Sequence, residues 1–116
     1  MPFGFHMLVD CQAGSMIDSK ANIVAFVKEL VMAIDMVAYG ETWCERFATH
    51  DPEKGGYSMF QMIETSNISG HFVDSNGNFY LDVFSCKPFD EEVVEKTIKK
   101  YFKPSKMSTK FIFRNA

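Results

Sequence analysis

The pair Asn76-Gly77, inside Asp74-Ser75-Asn76-Gly77-Asn78, constrains this chain more than any other stretch. Asn-Gly between two alternating segments is a strong hairpin signal, because both residues accept the left-handed backbone of a tight turn. It predicts that Ser69–Val73 and Phe79–Ser85 run antiparallel as neighbours. On the returning strand Phe79, Leu81 and Val83 face one way, and Tyr80, Asp82 and Phe84 face the other.

The same alternation predicts a first strand at Gly4–Asp10, with Phe5, Met7 and Val9 set against His6 and Leu8. After the loop Cys11–Ser15, Asp18 or Ser19 caps a helix, since each can accept a bond from an orphan backbone N–H. Ile23, Phe26, Val27, Leu30, Ile34 and Val37 lie on one face of that helix, and Gly40 is the expected stop. Glu41–Thr49 reads as a second strand, Asp51–Gly56 as a loop, and Tyr57–Glu64 as a third strand running into Thr65-Ser66. Gly55-Gly56 lacks the following G-K-[ST] of a phosphate loop and is read as plain connection. Asp90-Glu91-Glu92 opens a second helix with negative charge at its positive end. Val94, Ile98, Tyr101 and Phe102 give that helix its buried stripe, and Pro104 follows it. Met107–Arg114 closes the chain as a strand. The expected fold is α+β within one domain over residues 1–116. It is a two-layer sandwich, a mostly antiparallel sheet with two helices packed on one face. The other face would carry Phe, Tyr and Met, so a second subunit or a ligand is expected to cover it.

Composition excludes several functions. A net charge of −3 and a pI near 5.5, with no long basic run, argue against a nucleic-acid partner. Lys28, Glu29 and Asp35 interrupt the apolar run Ile23–Val37, so no membrane span is expected. His6, His50, His71, Cys11, Cys44 and Cys86 never fall at ligand spacing, so no metal is expected. Three cysteines without a C-x-x-C pair, and no signal peptide, point to a reducing cytoplasm.

Thr65-Ser66-Asn67-Ile68-Ser69-Gly70-His71 and, beyond the hairpin, Asp82-Val83-Phe84-Ser85-Cys86 carry a serine, an imidazole and a thiol. All three serve in covalent and proton-transfer chemistry, though each taken alone is an ordinary structural residue. Their offsets are distinctive: five residues from Ser66 to His71 and twenty to Cys86. The pattern resembles the small prokaryotic S-adenosylmethionine decarboxylases, whose signature is Glu-Ser-His-Ile-Ser-x-His followed by Asp-[VIL]-Phe-[TS]-Cys. Gly4-Phe5-His6-Met7-Leu8-Val9-Asp10 is similar to that family's opening strand, and the likeness continues through Tyr57-Ser58.

The resemblance implies that Ser66 attacks the Thr65 carbonyl and becomes a pyruvoyl group, the self-made cofactor. That ketone forms a Schiff base with the amine of S-adenosylmethionine, and spermidine synthesis uses the product. His71, helped by Ser58, would serve as acid and base in processing, and Cys86 would donate a proton after decarboxylation. The family's enzymes also imply a homodimer. Aromatic and acidic groups suit an adenine ring and a sulfonium cation, which makes Phe5, Phe47, Phe72 and Asp74 the substrate-side candidates. Three positions depart from the pattern: Thr65 for glutamate, Asn67 for the first histidine, and Ser75 for a substrate-side glutamate. Two other readings therefore stay open. One is a pyruvoyl decarboxylase for ornithine or arginine, and the other a non-processing homologue acting as a regulatory subunit.

Overall fold

The computed structural model describes residues 4–116. Six strands, β1 Gly4–Gln12, β2 Ala38–Phe47, β3 Gly56–Ile63, β4 Ser66–Phe72, β5 Phe79–Ser85 and β6 Lys106–Arg114, form one sheet ordered β2-β3-β4-β5-β1-β6. Every neighbouring pair is antiparallel. Helices α1, Lys20–Ala33, and α2, Glu91–Phe102, cover one face.

Local chemistry explains most of these boundaries. The Ser19 side chain accepts the Asn22 N–H and starts α1, while Asp90 does the same for Glu92 and starts α2. Glu91 and Glu92 sit in the first turn of α2, with Lys99 and Lys100 in the last, each complementing the helix dipole. Gly77, at φ 75°, supplies the left-handed residue of the β4–β5 turn, and Val73 N–H reaches the Asn78 carbonyl at 2.8 Å. The helices meet where Lys100 Nζ and Tyr101 OH both bond Glu29, at 2.9 and 2.7 Å. Lys100 first, then Tyr101, holds the Glu29 carboxyl below the ordinary carboxylate range.

Alternation divides the four inner strands, β1, β3, β4 and β5. Met7, Val9, Met59, Ile63, Ile68, Phe72, Phe79, Leu81 and Val83 turn inward against Ile23, Phe26, Val27, Leu30, Val94, Ile98 and Phe102. The centre is aromatic: the Phe102 ring lies 4.9 Å from Phe26, 5.2 Å from Phe72 and 5.0 Å from Phe79. Among the described residues no element covers the opposite face of the sheet. Trp43, Phe47, Phe60, Met62, Tyr80 and Ile112 are exposed there, interleaved with Ser58, His71, Asp82 and His6.

Three boundaries differ from the sequence expectation. Helix α1 stops at Ala33, not at Gly40: Ile34 caps it and Asp35 turns left-handed at φ 58°. Chain beyond it is captured by pairing, Ala38 with Ile63 and Tyr39 with Met62, so Val37 is exposed and not on a helical stripe. Gly40, at φ 74°, then sits inside β2 at a bulge where the register shifts between Tyr39 and Trp43. The carbonyls freed by that bulge are met by Gln61, 2% exposed, whose Nε2 bonds the Tyr39, Gly40 and Met62 oxygens. Lastly, β4 begins at Ser66 and not at Ser69, leaving only Glu64-Thr65 as the turn out of β3.

Candidate active site

Ser66 stands at the mouth of that two-residue turn, paired across β3 with Ile63 and across β5 with Ser85. Ser85 in turn faces Phe5 on β1, so two of the sequence candidates, Ser66 and Phe5, meet at one end of the sheet. The Cys86 backbone N–H donates to the Thr65 carbonyl oxygen at 3.1 Å. This is the carbonyl next to Ser66, and an N–H aimed at it withdraws electrons and favours attack on its carbon. Thr65 Oγ1 and Ser85 Oγ share a hydrogen bond of 2.7 Å, and Asn67 Nδ2 lies 3.4 Å from Ser66 Oγ. Cys86 itself is exposed.

A second cluster forms at the far end of β3 and β4. Ser58 and His71 are directly opposite, with Ser58 Oγ 2.7 Å from His71 Nδ1. The other ring nitrogen, Nε2, lies 3.1 Å from the Lys54 carbonyl. A carbonyl only accepts, so in the neutral ring Nε2 carries the hydrogen and Nδ1 receives the Ser58 hydroxyl proton. The loop holding Lys54 is itself anchored, Asp74 N–H to the Gly55 oxygen at 3.0 Å and Ser75 Oγ–H to the Glu53 oxygen at 3.1 Å. The Asp74 carboxylate is engaged by Arg46, and it raises that guanidinium's pKa. Phe47 is exposed on the same sheet edge, 5.4 Å from the Trp43 ring.

The two clusters are separate within one chain. Ser66 and His71 occupy the same strand five positions apart, which at ~3.3 Å per residue is about 17 Å. An odd spacing also turns them to opposite faces. Phe72 requires a correction. Its ring is 0% exposed, stacked on Phe79 at 5.3 Å beneath the helices, and no ligand on the open face reaches it. Two participants went unnoticed in the sequence. The Lys54 carbonyl left no signal there. Ser85 left one, a polar residue in step with the inward Phe79, Leu81 and Val83.

The three cysteines differ sharply in environment. Burial, with Asp10 adding to it, pushes the Cys11 thiol up to about 12, and burial likewise raises Cys44. Only the thiolate reacts with alkylating agents. Iodoacetamide at pH 8 is therefore expected to label Cys86 in the native protein and to spare Cys11 and Cys44 until urea is added. Peptide mapping of the labelled protein checks this, and native labelling of Cys11 or Cys44 at the Cys86 rate would contradict it. No group of three or more His, Cys, Asp or Glu side chains able to hold a metal occurs among the described residues. Nor is any described helix long and apolar enough to cross a membrane.

Sheet order and the two helices on one face define an α+β two-layer sandwich. The chain belongs to the S-adenosylmethionine decarboxylase family, whose sequence model matches residues 5–115. Its fold is similar to that of the adenosylmethionine decarboxylase from Aquifex aeolicus VF5. The TM-score is 0.80 over 99% of this chain and 92% of that one, at 18% identity. No curated protein sequence matches the chain.

Proposed function

We propose that the protein is a pyruvoyl-dependent S-adenosylmethionine decarboxylase that cuts itself between Thr65 and Ser66 and acts in cytoplasmic spermidine synthesis. The observation that carries this reading is the Cys86 N–H bonded to the Thr65 carbonyl, with Ser66 next in the chain. Ser66 Oγ attacks the Thr65 carbonyl carbon, the C–N bond breaks, and an ester replaces the amide. A base then removes the Ser66 Cα proton, Thr65 leaves as a carboxylate, and water converts the remaining dehydroalanine to a ketone with loss of ammonia. When formed, that pyruvoyl group supplies an electron sink for the pair left behind by departing CO₂. Ser66 is half-buried at the rim, so the new terminus would stay beside Cys86, whose thiol would deliver a proton to the substrate carbon.

Ser58 and His71 are the acid–base pair in this reading, which places them about 17 Å from the bond they must serve in their own chain. A two-fold pairing of open faces resolves the distance. With the two-fold axis running across the strands, each end of one sheet would lie over the opposite end of the other, which would bring His71 of one copy over the turn that carries the Thr65–Ser66 bond of its partner, twice per dimer. It would also cover the exposed Trp43, Phe60 and Met62. Phe5, Phe47 and Asp74 remain the substrate-side residues, drawn from both copies.

Intact mass of freshly purified protein tests the reading. Two fragments divided between Thr65 and Ser66 are expected, the C-terminal one ketone-reactive, and Ser66→Ala should give a single full-length mass. A wild-type chain that stays whole on prolonged incubation would sink the mechanism and favour the regulatory subunit. Because Arg46 neutralises Asp74, release of labelled CO₂ should be followed from S-adenosylmethionine, ornithine and arginine in parallel.

A further inference from the structure

Ser85 is 0% exposed, in a row of inward side chains that is otherwise apolar along β5. A hydroxyl in that setting needs partners, and two of its three, Thr65 and Lys87, flank the proposed cleavage region. Its Oγ accepts the Lys87 N–H at 2.9 Å, closing a small turn around Cys86. The same oxygen is 2.7 Å from Thr65 Oγ1. Met36 Sδ, from the chain just beyond α1, seals the other side at 3.4 Å from Thr65 Oγ1 and 3.6 Å from Ser85 Oγ. One buried hydroxyl thus holds both the side chain of the residue before the scissile bond and the turn that aims the Cys86 N–H at that residue's carbonyl.

We propose that Ser85 is a positioning residue for self-cleavage: it fixes the Thr65 carbonyl and the Cys86 N–H against each other and touches no reacting atom. The proposal rests on the self-cleavage described above but adds a residue to which no role was attached. It also accounts for Thr65. A threonine before the scissile bond offers Ser85 a hydroxyl partner, and Met36 accepts what Ser85 leaves over.

Two measurements on Ser85→Ala and Ser85→Thr test it. In the wild-type background, Ser85→Ala should slow cleavage between Thr65 and Ser66 by about 100-fold, the cost of a small misplacement of reacting groups. Ser85→Thr, which keeps the hydroxyl, should recover most of the rate. In a Ser66→Ala background, where no chain is cut, Ser85→Ala should speed hydrogen exchange of the Cys86 amide by about tenfold relative to other β5 amides. Phe79→Leu, a smaller side chain at the opposite end of β5, should lower stability without that local change. Wild-type cleavage rates in Ser85→Ala overturn the proposal, as does an unchanged Cys86 exchange rate. If the wild-type chain is never cut, the self-cleavage reading falls, and the exchange measurement still decides whether Ser85 holds the turn.

Discussion

Co-expressed in equal amounts, the His71→Ala and Ser66→Ala chains should cleave where neither does alone. The His71→Ala chain keeps its nucleophile but loses the imidazole, and removing an acid–base group costs about 10²–10⁴ in rate. The Ser66→Ala chain has nothing to cut yet keeps Ser58 hydrogen-bonded to His71. Facing sheets related by a two-fold axis would give each mixed dimer one complete set, Ser66 from one chain and Ser58–His71 from the other. Cleavage should then appear only in the His71→Ala chain. Random pairing places about half of those chains in mixed dimers, so about half should be cut. Mass spectrometry with an affinity tag on one chain reads the result. Cleavage of wild type alongside an inert mixture would show that His71 acts within its own chain, and cleavage of the His71→Ala chain alone would show that the imidazole is not needed.

The largest stability effect is expected at Phe102. Its ring ends α2, is 0% exposed, and lies within 5.2 Å of the Phe26, Phe72 and Phe79 centroids. Both helices and the sheet meet on it, so the surroundings cannot collapse into the space left by Phe102→Ala. The expected loss is about 3–5 kcal/mol, a large share of the ~5–15 kcal/mol that holds a typical domain together. For a chain of this length that lowers Tm by roughly 15 °C or more. Phe113→Ala removes an equally large ring that is 70% exposed, and should cost about 0.5 kcal/mol or less. Urea midpoints at unchanged slope make the comparison, and a Phe102→Ala loss under about 1 kcal/mol would refute the central role of the cluster.

Much of this architecture was legible because its signals are local. Asn76-Gly77 fixed one hairpin, alternation sorted Phe79, Leu81 and Val83 from Tyr80, Asp82 and Phe84, and Ser19 and Asp90 marked the helix starts. The end of α1 was not legible. Ile34 and Met36 remain buried, so the apolar pattern continues past the helix and only the backbone changes. A strand partner 25 residues downstream, Ile63 for Ala38, decides that change, and no window around Gly40 contains it. The spacing between Ser66 and His71 was hidden for a related reason. Starting β4 at Ser69 leaves Ser66–Ile68 free to fold back toward His71, whereas the observed strand from Ser66 holds the two apart. Offsets identify the residues but carry no geometry until the strand boundary is known.

The bulge at Gly40 bears on how this protein avoids growing sideways. β2 is an outermost strand, and a straight outer strand offers its unpaired amides to any similar chain, the first step toward a fibril. Here the strand bends midway, and Gln61 occupies the Tyr39 and Gly40 carbonyls from within. At the opposite border β6 carries Lys106, Lys110 and Arg114, whose like charges resist stacking. With both borders defended, the dimer proposed above would have to form through the broad surface of the sheet, where a pair would be complete once formed and no third copy could add.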